Sequence, residues 1–154
     1  MGWESFIDGL TRTYSAKEFK VPSTDSIAIL KQIEATFIIN NNPNHRIPHW
    51  KKNIKARELV RTIPLISLSS LFNRLPADIL FWVVFISDYG STTRQFVVES
   101  NRDVITGLFS WTRAGDLAII DKRYAWYTYF EMDRDAGLVN IYKSKRFPTP
   151  FDVI

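Results

Sequence analysis

Residues 116–143 read DLAIIDKRYAWYTYFEMDRDAGLVNIYK. Within this stretch Leu117–Ile120, Ala125–Met132 and Leu138–Lys143 are rich in β-branched and aromatic residues. Asp121-Lys122-Arg123 separates the first two runs, and Asp133-Arg134-Asp135-Ala136-Gly137 the last two. The pattern predicts three strands in succession. Links this short favour antiparallel neighbours. Gly137 closes the second link, where a hairpin loop needs a residue that tolerates positive φ. Side chains alternate across a strand, so the middle run has two faces. One carries Tyr124, Trp126, Thr128 and Phe130, and its heavier apolar content should face helices. The other carries Ala125, Tyr127, Tyr129 and Glu131 and is a candidate contact surface, because tyrosine joins an apolar body to a hydrogen-bonding tip.

Upstream, Ile79–Ile86 reads ILFWVVFI, apolar without alternation. That is the signature of a strand buried on both faces, placed here over Ile79–Ser87. Asp88-Tyr89-Gly90 reads as a turn and Gln95–Glu99 as the hairpin partner. Asn101 is an N-cap for a helix carrying Val104, Ile105, Leu108, Phe109 and Trp111, and Gly115 ends that unit. At the N-terminus, Trp3, Phe6, Ile7, Leu10 and Tyr14 recur at helical spacing. Ile27, Leu30, Ile33 and Phe37 do the same in a second helix from about Asp25 to Ile38, with Ser23 or Thr24 as its cap. Asn40–Pro48 is an Asn- and Pro-rich loop. Partial alternation over Ile54, Ala56, Glu58 and Val60 suits a short edge strand, and Ser67–Leu75 suits a short helix between Pro64 and Pro76. The tail from Phe147 should lie on the surface. The expectation is a single α+β domain over residues 1–154. Two N-terminal helices pack on one face of a mainly antiparallel sheet of about five strands, ordered β-β-α-β-β-β in the second half.

The 154 residues suit one ordinary domain, and 45% hydrophobic with 23% charged residues is a globular composition. The chain has no cysteine, which excludes disulfides, thiolate catalysis and Cys-based metal sites. The longest apolar run is far short of the roughly 20 residues that span a bilayer, and the N-terminus lacks the basic start of a signal peptide. A cytoplasmic protein without a membrane role is expected. The net charge of +4 is local. Between Asn41 and Ile63, Arg46, Lys51, Lys52, Lys55, Arg57 and Arg61 face only Glu58.

The sequence holds no phosphate-binding glycine loop, dinucleotide fingerprint or nucleophile elbow. His45 and His49 are four apart, as in a helical zinc pair, but Pro43 and Pro48 break any helix there. Asp116, Asp121, Asp133 and Asp135 gather near strand ends, where aspartate also serves turns. We therefore expect no enzyme, cofactor or metal. The segment HWKKNIKARELVR interleaves Trp50 with Lys51, Lys52, Lys55, Arg57 and Arg61. Such a mixture suits a nucleic-acid backbone with a stacked base, an acidic protein surface, or a solvated edge.

Ile119, Ile120, Asp121, Lys122, Tyr124 and Trp126 form a strand-turn-strand unit of the form I-[IV]-D-K-x-Y-x-W, preceded by Glu99 after an earlier strand. In these residues the chain resembles small bacterial α+β proteins of the immunity type that accompany polymorphic and contact-dependent toxins. The likeness covers about residues 79–132. It departs at Glu131-Met132-Asp133-Arg134, where such proteins often carry an Asn-His-His-Asp-like stretch. The resemblance implies a non-catalytic antitoxin-like protein that blocks the active site of a cognate toxin domain. Immunity proteins against nucleases are often acidic, so the mild basicity sits badly with a nuclease partner and is compatible with an acidic toxin surface. The expected contact residues are Tyr127, Tyr129 and Glu131 of the sheet face, or Trp50, Lys51, Lys52, Lys55, Arg57 and Arg61 of the basic segment. A nucleic-acid-binding module using the basic segment over residues 46–61 is the alternative.

Overall fold

The computed structural model describes residues 4–22, 25–39, 49–89, 92–111 and 115–152. In chain order these give helix α1 (Glu4–Thr13), strand β1 (Phe19–Lys20), helix α2 (Ser26–Phe37), strand β2 (Arg57–Pro64) and helix α3 (Leu68–Phe72). Strands β3 (Phe81–Tyr89) and β4 (Thr92–Ser100), helix α4 (Arg102–Trp111) and strands β5 (Asp116–Ile120), β6 (Tyr127–Asp133) and β7 (Leu138–Ser144) follow. All seven strands join one sheet in the order β1-β4-β3-β5-β6-β7-β2, and every neighbouring pair is antiparallel. The fold is α+β, and β3-β4-α4-β5-β6-β7 is the β-β-α-β-β-β order expected for the second half. The five-strand estimate is corrected to seven. The alternating stretch of the basic segment grows into the eight-residue edge strand β2, and the two-residue β1 is too short to leave a periodic signal.

The two-layer expectation is corrected as well, because helices cover both faces. On one face Ile7 of α1, Leu71 and Phe72 of α3, and Ile105 and Leu108 of α4 pack on Val83, Phe85, Ile119 and Phe130. On the other, Ile29, Ile33 and Phe37 of α2 pack on Val84, Ile86, Ala118 and Tyr127. The two N-terminal helices thus lie on opposite sides of the sheet. This explains why β3 is apolar without alternation: it is interior in the strand order and covered above and below. No helix among the described residues is long and apolar enough to cross a membrane.

Local chemistry sets the helix ends. The Asp25 side chain accepts the Ile27 N–H at 2.9 Å and caps α2. The cap is therefore Asp25, not Ser23 or Thr24, which lie outside the described residues. Asn101 Oδ1 accepts the Val104 N–H at 3.0 Å and caps α4, as its position in the sequence indicated. Gly137 closes the β6–β7 loop at φ +66°.

Candidate functional site

β6 positions most of the residues singled out from the sequence, and its two faces meet different partners. Trp126, just before the strand, and Phe130 pack toward the α1/α3/α4 layer, where both contact Phe151 of the tail. Tyr127 and Tyr129 lie on the α2 face and are 0% and 1% exposed. The Tyr127 ring stacks on Phe37 of α2 at 5.3 Å and meets the edge of Trp50 at 5.8 Å. Trp50 is itself 1% exposed, and its indole N–H donates to Glu34 of α2 at 2.9 Å. Tyr127, Tyr129 and Trp50 are packed in the interior of the fold. The sequence reading placed these rings on a contact surface, and α2 with residues 49–54 covers that surface. The apolar side of the covering segment is Trp50 and Ile54, both buried.

Burial drives the Tyr127 phenol pKa well above its ordinary value, and the nearby Asp116 and Glu34 carboxyls push it the same way. Its hydroxyl has no hydrogen-bond partner among the described residues. A buried polar group left unpaired costs about 1–3 kcal/mol. Tyr127→Phe is therefore expected to raise the unfolding free energy by about 1 kcal/mol, read as a higher urea midpoint at unchanged m-value. A loss of more than about 1 kcal/mol would mean that the hydroxyl has a partner.

Toward its end β6 becomes polar. Glu131 Oε2 accepts Lys51 Nζ at 2.5 Å. Its Oε1 accepts Asn140 Nδ2 at 2.9 Å and the Tyr142 hydroxyl at 3.3 Å, both from β7. On β5, Asp116 Oδ2 accepts the Tyr129 hydroxyl at 2.6 Å and Oδ1 accepts the Met132 N–H at 3.0 Å. Burial raises the Asp116 pKa, and these two hydrogen bonds only partly oppose it. Burial also works to raise Glu131, but the contacts from Lys51, Asn140 and Tyr142 outweigh it and hold the carboxyl below its usual range. Lys51 in turn is raised, chiefly by its bond to Glu131. Both carboxylates border an open cleft of about 430 Å³ together with Asp133 and Arg134. All four of their oxygens already accept hydrogen bonds. The network ties β5, β6 and β7 to one another and fastens the segment after residue 49 onto the sheet.

Asp121 and Asp133 serve turns. Asp121 Oδ2 accepts the N–H groups of Arg123 and Ala125, and Asp133 Oδ1 accepts that of Ala136. Among the described residues no three His, Cys, Asp or Glu side chains gather as a metal site. His49 is half-buried, with its carbonyl accepting Asn53 Nδ2 at 2.7 Å, and His45 lies outside the described residues.

The other cations of the basic segment divide. Arg61 donates to the Phe151 carbonyl at 2.9 Å and binds the tail to β2. Lys55 donates to the Ala35 carbonyl near the end of α2 at 2.7 Å, a favourable place for a cation. Arg57 lies over the Tyr142 ring at 4.2 Å yet stays exposed, and Lys52 is exposed. The sequence reading did not join the end of β7 to this group. Ser144 pairs with Arg57, and the Lys145 N–H donates to the Ala56 carbonyl at 2.9 Å. Exposed Lys145 and Arg146 therefore sit beside Lys55 and Arg57 at one corner of the sheet. The signal available was the run Lys143-Ser144-Lys145-Arg146, with three cations in four residues. Its neighbourhood to residues 55–57 depends on a strand pairing some 85 residues apart.

No protein-family model, curated protein or solved structure matches this chain.

Proposed function

We propose that the chain is a cytoplasmic, non-catalytic immunity-type protein that binds a cognate toxin domain and blocks its active site through the basic corner of the sheet. The observation that carries this reading is the convergence of cations from two distant segments, half-buried Lys55 and exposed Arg57 with exposed Lys145 and Arg146, across the Ala56–Lys145 hydrogen bond. A rigid cationic corner offers an acidic protein surface both steering and complementarity. The resemblance of residues 119–126 to immunity-type proteins supplies the partner class. With Tyr127, Tyr129 and Trp50 buried, the contact shifts from aromatic rings to charge.

The nucleic-acid alternative keeps these cations and loses its stacking ring, because Trp50 is enclosed between α2 and Tyr127. It would leave only sequence-independent, salt-dependent backbone attraction.

The test is co-expression of the tagged chain with the product of the adjoining gene in its source genome. A stoichiometric complex and rescue of growth when that neighbour is toxic are the expected results. Lys145→Glu with Arg146→Glu should then slow association roughly tenfold at low salt and flatten its salt dependence, with folding unchanged. An unchanged association rate would remove the basic corner from the interface. No complex and no toxicity would overturn the function.

A further inference from the structure

Register brings two polar side chains to one end of the sheet, on either side of β3. Phe81 pairs with Ser100 of β4, and Trp82 with Ile120 of β5. Asn101 and Asp121 each follow their strand by one residue. They therefore flank the start of β3, two strand spacings or roughly 10 Å apart. Both line an open cleft of about 1010 Å³, with Ile79 and Leu80 between them. Both are more than nine-tenths buried, at 8% and 7% exposed. Asn101 Oδ1 is taken by the Val104 N–H. Asp121 Oδ2 is taken by the Arg123 and Ala125 N–H groups and lies 3.6 Å from Arg123 Nε. The other atom of each, Asn101 Nδ2 and Asp121 Oδ1, has no partner among the described residues, and neither is sealed from the cleft. Most buried polar side-chain atoms have a partner. A donor and an acceptor presented to one cleft call for a ligand that carries both.

The lining narrows the class. Exposed Lys17 and Arg123 stand against exposed Asp78 and Asp103, and Asp103 is paired with Arg102 at 3.6 Å. Charge of both signs disfavours a polyanion and a polycation alike. None of the described lining residues is aromatic, so a nucleobase would find no ring to stack on. Exposed Ile79 and half-buried Leu80 offer an apolar wall. The volume lies at the upper end of the roughly 300–1,000 Å³ of small-ligand sites, more than a single amino acid fills. Extended peptide advances about 3.3 Å per residue, so two or three residues reach from Asn101 to Asp121.

We propose that this cleft binds a short zwitterionic peptide, of about two or three residues, with an aliphatic side chain. Its ammonium donates to Asp121 Oδ1. Its carboxylate accepts from Asn101 Nδ2 beside the N-terminus of α4, where negative charge is favoured. Its side chain lies on Ile79 and Leu80. The cleft shares no residue with the basic corner, so the site goes beyond the toxin-binding reading and is tested without a partner protein.

Amide spectra of the isolated chain, titrated with leucyl-leucine, decide it. Saturable shifts are expected at Leu80, Asn101 and Asp121, with a dissociation constant of about 1 mM or below. Free leucine, inorganic phosphate, and leucyl-leucine blocked by acetyl and amide groups should each bind at least about tenfold more weakly. Two isosteric variants change the unmet atoms. Asn101→Asp keeps an oxygen for the Val104 N–H and turns the free donor into an acceptor. Asp121→Asn keeps an oxygen for the turn and turns the free acceptor into a donor. Each should weaken leucyl-leucine binding at least about tenfold, with the spectrum away from the cleft unchanged. The absence of saturable shifts up to about 10 mM would overturn the proposal. Equal binding of leucine or phosphate would reduce the ligand to an amino acid or an anion, and equal binding of the blocked peptide would make it a segment of a protein chain. Any of these overturns the zwitterionic peptide, as does unchanged affinity in both folded variants. If neither variant folds, the ligand series on the unmodified chain decides alone.

Discussion

Trp50→Ala is expected to lower the unfolding free energy by about 3–5 kcal/mol, the usual cost of emptying a buried aromatic site. Three contributions add. The indole is 1% exposed and its removal leaves a cavity between α2 and β6. The edge contact with Tyr127 at 5.8 Å is lost. Glu34 loses the indole N–H that accompanies its burial. Burial already raises the Glu34 pKa, and the Trp50 hydrogen bond is the main influence opposing it, so the carboxyl should titrate higher still in the variant. Trp50→Phe keeps most of the volume and loses the N–H, so its cost should be about 1–2 kcal/mol. Urea unfolding of the three proteins measures both steps. A loss below about 1 kcal/mol for Trp50→Ala would mean that the ring is solvent-exposed and would restore its stacking role in the nucleic-acid reading. The predicted size follows from a residue that the sequence presents as part of a basic patch.

That residue shows where local pattern stops being informative. Strand β3 was legible because eight apolar residues without alternation admit few environments. Asn101 and Gly137 were legible because a helix cap and a positive-φ loop position each restrict residue type locally. Trp50 and Lys51 are adjacent in sequence, yet one is enclosed by α2 and the other reaches Glu131, 80 residues away. Nothing local distinguishes a cation that finds an acid from one that stays in solvent, as Lys52 does. Tyr127 and Tyr129 misled for a related reason. A tyrosine face reads as a wet surface because its hydroxyls need partners. Here Asp116 supplies one inside the fold, and the Tyr127 hydroxyl finds none among the described residues. The face a helix covers is likewise absent from its own periodicity. The α1 and α2 sequences are both amphipathic, and only the width of the sheet, apolar on both sides at β3 and β6, calls for one on each. Lys145 and Arg146 joined the candidate site only through the β2–β7 pairing, because a patch built across strands has no contiguous sequence.

Gly115→Ala is expected to cost on the order of 3 kcal/mol, well above Gly137→Ala at about 1 kcal/mol. Both glycines have positive φ, +100° and +66°, so both substitutions force a side chain into a conformation that L-residues disfavour. They differ in space. A Cβ on Gly137 would meet nothing within 4 Å, and its cost is conformational alone. A Cβ on Gly115 would lie 2.3 Å from the Ile86 carbonyl oxygen, a backbone atom of β3 that cannot rotate away. Relief requires the chain to back off at the point where it enters β5. The next residue, Asp116, pairs with Ile86 and accepts the Tyr129 hydroxyl, so the shift should carry into the carboxylate network on the α2 face. Urea midpoints give the two free energies. Amide exchange should show faster opening at Met132, whose N–H rests on Asp116, in Gly115→Ala but not in Gly137→Ala. Equal losses for the two variants would mean that backbone conformation alone sets the cost and that β5 does not approach β3 as closely as the Ile86 contact requires.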